Sequence, residues 1–268
     1  EFDLLGALNN NGAIVSDITE IDGVPTIVWT ENATGDLIQT EKNNILKSAR
    51  LVGSEWNVNK LLDNQAAIDG LCLTENNGSL CVYYSQDTDG DTTTIADKEI
   101  FAFSNGKITQ ITDNEVADTK PIVVNNVLYW YSDSKIAYKD VYGENVDYID
   151  SGCLSDRFKV SDNGKKISIV FSSYNDNGEQ MIVAICNDGE GWGKPIEVCA
   201  SSNLIGGYDS TYCSDGLLRV VSNDVLIQDD TFGEATIKLY EMSDYYDIAI
   251  DNLNYDEYSV NDDELWVY

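Results

Sequence analysis

The sequence predicts an all-β chain assembled from one antiparallel unit repeated along its length. Three observations carry this. First, turn dipeptides of one chemistry recur roughly every 50 residues: Asp22-Gly23, Asn77-Gly78, Asn125-Asn126, Asn163-Gly164, Asp215-Gly216 and Asp262-Asp263. Second, each is followed by an apolar run rich in aromatic or β-branched residues: TIVWTE, LCVYYSQ, LYWYSD, ISIVFSS, LRVVSN and LWVY. Third, helical periodicity is almost absent; NVNKLLDNQAAIDG is the one candidate, and it reads as a connection between units. A single four-stranded sheet leaves both faces wet, so repeated sheets must stack around an axis, each covering its neighbour. The predicted architecture is a β-propeller of six blades, mostly of four antiparallel strands. It forms one domain over residues 1–268, expected to be a module of a longer protein. Glu1-Phe2, whose codons match a restriction site, are left out of the fold reasoning.

Each element follows from local chemistry. The turn dipeptides suit a type I′ hairpin, whose two central residues need positive φ and so favour Asn, Asp and Gly. In five units the apolar run ends on a hydroxyl residue: Thr30, Ser85, Ser132, Ser172 and Ser222. These hydroxyls are expected to bond within the blade or at the central channel. A second turn is expected at Gly35-Asp36, Gly90-Asp91, Gly178-Glu179 and Gly233-Glu234. Third strands follow in EIFAF, KIAYKD, QMIVAIC and ATIKLYE, and fourth strands in KITQIT and KPIEV. AIVSDITEI is the first inner strand. The sixth unit has room for two inner strands only, so FDLLGAL is expected to complete it and close the ring from both termini.

Charge narrows the partners. The chain carries 47 acidic and 16 basic residues, a net charge of −31. A field of that sign repels phosphate backbones and anionic lipid. Nucleic acid is therefore excluded as a partner, and no stretch is apolar enough for membrane insertion by a helix. What remains is a monomeric module with a protein or carbohydrate ligand, in a secreted or cell-surface setting.

Six cysteines occur without a CxxC pair, which excludes ordinary zinc spacing. Cys72 and Cys81 flank Asn77-Gly78 and are expected to face each other across one hairpin. Cys186 and Cys199 flank Gly189–Gly193 in the same way. Two disulfides and an oxidising compartment follow if these pairs are bonded; reduced core thiols are the alternative.

The chain has no histidine. That removes Ser-His-Asp and Cys-His nucleophile systems, imidazole bases and His-ligated zinc. No phosphate-cradling GxxxxGK[ST] or GxGxxG is present, and no GxSxG. Enzyme chemistry, if any, falls to paired carboxylates, as in glycoside hydrolysis. A binding module, a carbohydrate-active enzyme and a purely structural module are the three readings these residues leave.

Gly53–Trp56 and Gly189–Trp192 share a Gly-x-x-Trp element at the same stage of two units. This resembles a degraded sialidase Asp-box, S-x-D-x-G-x-x-W, in which the Trp packs between strands and the Asp pins the turn. The Ser and Asp positions hold Ile185 and Asn187 in one copy, Ala49 and Leu51 in the other. The resemblance implies a propeller but not the sialidase activity. That would need three arginines on the substrate carboxylate, and Arg50, Arg157 and Arg219 are all the chain has. The Tyr-, Asn- and Asp-rich strands also resemble propeller domains of secreted or cell-surface bacterial proteins.

Two candidate sites complete the reading. Asp87, Asp89 and Asp91 alternate in DTDGD, a spacing that converges carboxylates on a hard cation; Ca²⁺ is the expected cofactor, with Glu99 or Asp97 as a further ligand. The loop departs from a helix-loop-helix calcium site, with Thr92 where that pattern has Gly. Asn175–Glu179 is its counterpart two units on and reads first as a hairpin turn. Tyr245, Tyr246, Tyr255 and Tyr258, in an acidic segment, are the expected ligand-binding surface. Trp29, Tyr83, Tyr84, Trp130 and Tyr131 could also contact a ligand, but their place in the repeat favours blade-packing core.

Overall fold

A computed structural model describes residues 13–32, 45–63, 66–76, 78–88, 97–228, 231–242 and 255–259. Among these residues there are twenty β-strands in five four-stranded antiparallel sheets, and no helix. Sheet 1 comprises β1 (Ala13–Ile21), β2 (Val24–Glu31), β3 (Ile45–Val52) and β4 (Glu55–Asp63). Sheet 2 comprises β5 (Ile68–Asn76), β6 (Ser79–Asp87), β7 (Lys98–Ser104) and β8 (Lys107–Gln110). Sheet 3 comprises β9 (Asp118–Val124), β10 (Val127–Ser132), β11 (Lys135–Asp140) and β12 (Asp147–Ile149). Sheet 4 comprises β13 (Lys159–Asp162), β14 (Ile167–Tyr174), β15 (Gln180–Asn187) and β16 (Ile196–Ser201). Sheet 5 comprises β17 (Leu204–Tyr212), β18 (Leu218–Gln228), β19 (Thr231–Met242) and β20 (Tyr255–Ser259). Strands in every sheet pair in chain order, as a meander.

The chain divides into two compact units, residues 1–148 and 149–268. Sheets 1 to 3 build the first. Their hairpins turn where expected: Asp22 and Gly23 take φ of 51° and 70°, and Asn125 and Asn126 take 51° and 61°. These left-handed values match the strand twist of a two-residue hairpin and are tolerated by Asp, Asn and Gly. The first strands of successive sheets lie side by side and are stitched by single hydrogen bonds. Leu73 N–H on β5 donates to Asp17 Oδ2 on β1 at 2.6 Å. Val123 N–H on β9 donates to Cys72 Sγ on β5 at 3.2 Å. Asp17 and Cys72 occupy the same place in their repeats, five residues before Asp22 and Asn77.

Packing explains why the second strands read as unbroken apolar runs. Adjacent side chains on a strand point to opposite faces. Tyr84 joins Val28, Leu46, Val82 and Phe103 in the core between sheets 1 and 2, and its ring stacks on Phe101 at 5.8 Å. Its neighbour Tyr83 joins Ile100, Leu128, Trp130 and Ala137 between sheets 2 and 3. Both faces of β6 are thus covered, so alternation with polar residues is lost. Each such fully buried side chain contributes roughly 1.5–3 kcal/mol.

The second unit repeats this in sheets 4 and 5. Val170, Ile182, Ala184 and Val198 pack on Ile205, Leu218, Val220, Tyr240 and Met242. Ser161 Oγ on β13 donates to Ser210 O on β17 at 2.9 Å, again between first strands. The five repeated hydroxyl residues Thr30, Ser85, Ser132, Ser172 and Ser222 are all buried. Ser172 N–H donates to Tyr208 Oη on the next sheet at 3.0 Å.

Several expectations are corrected. Asn57–Asp63, the start of the expected connection NVNKLLDNQAAIDG, belongs to β4, the outer strand of sheet 1, with Val52 opposite Glu55 across the Gly53-Ser54 turn. Gly233-Glu234 lies inside β19, where Gln228 pairs with Thr231, so no turn falls there. Tyr255–Ser259, in the acidic segment read as a ligand-binding surface, pairs with β19 as the outer strand of sheet 5. Asp262-Asp263, LWVY and FDLLGAL lie outside the described residues. The cysteine register also differs: Cys72 faces Tyr83 and Cys81 faces Thr74, because Asn76 and Ser79 close the hairpin. Cys186 faces Ser168 while Cys199 faces Ile182, so neither expected disulfide pair is formed. All six cysteines are free thiols.

Candidate functional site

In the second unit the loops joining β13 to β14 and β17 to β18 are longer than the two-residue hairpins of the first. Asn163 N–H donates to Lys166 O at 3.2 Å, and Cys213 N–H to Leu217 O at 3.0 Å. Between these loops lies a cavity of 490 Å³, lined by Asp162, Asn163, Lys165, Tyr212, Cys213, Ser214, Asp215 and Gly216. That volume falls in the range of small-molecule sites.

The cavity's side chains are held from behind. Tyr212 Oη hydrogen-bonds Ser168 Oγ, and Ser168 Oγ lies 2.6 Å from Cys186 Sγ. Burial pushes the Tyr212 phenol up, and the bond with the Cys186 thiol adds to this. Asp162 Oδ1 accepts from Gly164 N–H at 3.0 Å, and Asn163 Oδ1 from Lys165 and Lys166 N–H at 3.0 and 2.8 Å. Asp215 clamps Arg219 in two bonds of 3.1 and 2.7 Å, and Arg219 also reaches Glu241 at 2.6 Å. The Arg219 bond holds the Asp215 carboxyl below its ordinary range. Past Cys213 a second cavity of 310 Å³ opens, with Val221 and Leu239 beside Asp209, Ser210, Thr211 and Arg219. The arrangement offers a fixed phenol ring, carboxylates and an ammonium to one polar ligand.

The residues named from sequence fall elsewhere. Tyr245, Tyr246, Asp89 and Asp91 lie outside the described residues. Tyr255 and Tyr258 sit on β20, opposite Tyr240 and Ile237. Asp87 ends β6, buried, opposite Lys98. Trp29, Tyr83, Tyr84 and Trp130 are buried core, as their repeat position favoured. Asn175 closes its own hairpin, accepting from Asn177 and Glu179 N–H at 3.0 Å each. Asn187 Oδ1 accepts from Gly189 N–H at 2.8 Å, so the Asp-box-like position does pin its turn. The cavity was missed because Asn163 and Asp215 were read only as turn formers. The signal available was the longer spacing from Asn163-Gly164 to the following strand.

No protein-family model matches this chain, and no curated protein matches it. Solved structures do. The polysaccharide lyase Uly1 superposes with a TM-score of 0.55 at 8% identity, over 88% of this chain and 71% of that one. The intramolecular trans-sialidase from Ruminococcus gnavus, in complex with oseltamivir carboxylate, gives 0.50 at 10% identity, over 94% and 85%. The catalytic domain of the Coprinopsis cinerea GH62 α-L-arabinofuranosidase gives 0.40 at 12% identity over 65% of this chain, which spans 64% of its length. For the lyase and the trans-sialidase the likeness is one of fold, that of sialidase-like β-propellers.

Proposed function

We propose that this chain is a carbohydrate-binding propeller module of a secreted or cell-surface protein. The observation that carries the reading is the polar cavity between the β13–β14 and β17–β18 loops. A saccharide presents alternating donors, acceptors and C–H faces. Asp162 and Asp215 supply acceptors, Lys165 a donor and Tyr212 a ring held rigid by Ser168. The fold neighbours that are a polysaccharide lyase and a trans-sialidase support the ligand class. The reading keeps the six blades counted from the recurring turn dipeptides. A protein ligand is the competing partner, favoured by no feature of the cavity.

The test is a glycan array followed by calorimetry on the full chain. Binding of a neutral or cationic glycan is expected, weakened roughly tenfold by Lys165→Ala or Asp162→Ala, the worth of one charge-assisted hydrogen bond. Absence of binding to any glycan, with retained fold, overturns the proposal in favour of a structural module.

Two carboxylates on one cavity favour a second reading, hydrolysis by paired acids. Arg219 engages Asp215 in two bonds, so the test of this reading falls on Asp162. Release of product from chromogenic glycosides, abolished by Asp162→Asn, would establish it.

A further inference from the structure

Among the described residues of the first unit four carboxylates are buried: Glu31, Asp87, Glu99 and Asp118, exposed by 1, 4, 2 and 0%. They end β2, end β6, open β7 and open β9, the strand ends remote from the Asp22-Gly23, Asn77-Gly78 and Asn125-Asn126 turns. Glu31 is neutralised there: Lys47 Nζ lies 2.7 Å from one oxygen, and Trp29 Nε1 donates to the other at 2.7 Å.

Glu99 and Asp118 have no such partner among the described residues. One amide residue holds both. Asn114 N–H donates to Glu99 Oε1 at 2.8 Å, and Asn114 Nδ2 donates to Asp118 Oδ2 at 2.8 Å. Asn114 Oδ1 is turned the other way, accepting from Val116 N–H. The two remaining oxygens, Glu99 Oε2 and Asp118 Oδ1, are both buried and without a hydrogen-bond partner. Two buried carboxylates with an unsatisfied oxygen each cost several kcal/mol unless a positive charge sits between them.

We propose that Glu99 Oε2 and Asp118 Oδ1 ligate a divalent hard cation, with Asn114 fixing the orientation of both carboxylates. Oxygen-only donors select Ca²⁺ or Mg²⁺ over softer metals. The described residues bring no third acid into a metal-holding group, so water or backbone carbonyls complete the shell, as is usual when carboxylates are few. The site differs from the alternating Asp87, Asp89 and Asp91 expected from sequence: its second ligand, Asp118, comes from the first strand of the next sheet. A cation there ties β7 to β9 and so sheet 2 to sheet 3. The proposal is independent of the cavity in the second unit.

The experiment uses the full chain, stripped with chelator and then titrated with CaCl₂ or MgCl₂ while thermal unfolding and heat of binding are followed. Saturating metal is expected to raise Tm by roughly 5–10 °C. Glu99→Gln and Asp118→Asn should each abolish that shift, while Glu20→Gln, at an exposed acid, should leave it intact. No heat of binding and no Tm shift in the native chain overturns the proposal whatever the variants do. A shift that survives in both variants overturns it too, placing the cation elsewhere. A chain indifferent to metal but stabilised by mild acid overturns it in favour of one proton shared between the acids.

Discussion

Asp17 on β1 receives the backbone N–H of Leu73 on β5 at 2.6 Å, a charge-assisted bond between the first strands of two sheets. Such a bond is worth about 1.5–3 kcal/mol when one partner is ionised. Asp17→Ala should therefore lower the stability of the first unit by about that amount. Asp17→Asn, which keeps an acceptor, should lose less. Urea unfolding with unchanged m-value measures both; equal stability of all three proteins would show that the stitch is not worth its geometry.

Gly70 and Gly23 separate two kinds of glycine. Both have positive φ, 59° and 70°. A Cβ on Gly70 would stand 3.1 Å from Lys120 N and from Ser85 Oγ, whereas one on Gly23 meets nothing within 4 Å. Gly23→Ala should cost about 1 kcal/mol, from backbone strain alone. Gly70→Ala adds a clash with the backbone of β9, which stays put because it is in the sheet, and should cost about twice that or more. Thermal unfolding of the two variants checks the order.

The thiols give a prediction with a count. All six cysteines are free, so non-reducing denaturation should expose six titratable thiols and mass spectrometry should find no loss of hydrogen. In the native chain at pH 8, burial pushes the Cys72 thiol to about 12 and the Cys153 thiol to about 11. Both should resist alkylation, while Cys213, on the walls of two cavities, reacts first. A disulfide in the native mass would refute the assignment.

Asp215 and Arg219 predict a pH response. The Arg219 bond lowers the Asp215 carboxyl in the folded chain. A group depressed on folding contributes stability that is present above its unfolded value and lost as pH falls through the folded one. The contribution is small because the pair is exposed and screened. A carbon-detected titration should place Asp215 below ordinary aspartates, and Arg219→Gln should return it to their range. An unshifted Asp215 in the native chain would mean the clamp is absent in solution.

Much of the blade was legible in the sequence. Asp22-Gly23 and Asn125-Asn126 demand positive φ, and few other pairs accept it, so the hairpins could be placed from two letters each. EIFAF, KIAYKD and QMIVAIC stand as third strands because short apolar, aromatic and β-branched runs between turn signals admit little else. NVNKLLD misled. Its leucines follow asparagines at helical spacing, yet the segment pairs with β3 as an outer strand, where neighbouring backbone overrides local propensity. The cysteines misled for another reason. For Cys72 and Cys81, a one-residue shift of the hairpin centre moves each partner by two residues, which keeps both thiols on one face but removes them from opposition.

Sequence alone determined the repeated meander, the I′ hairpins, the buried aromatic stripe and the exclusion of histidine chemistry, because all of these depend on neighbours a few residues apart. Tertiary structure alone decided which acids meet. Glu99 and Asp118 lie on different sheets, brought together through Asn114, and Asp162 and Asp215 share a cavity across two hairpins. Among 47 acidic residues no local pattern pairs Glu99 with Asp118 or Asp162 with Asp215. Whether a carboxylate is solvated, clamped or left with an empty oxygen is set by groups distant in the chain, and only packing puts them there.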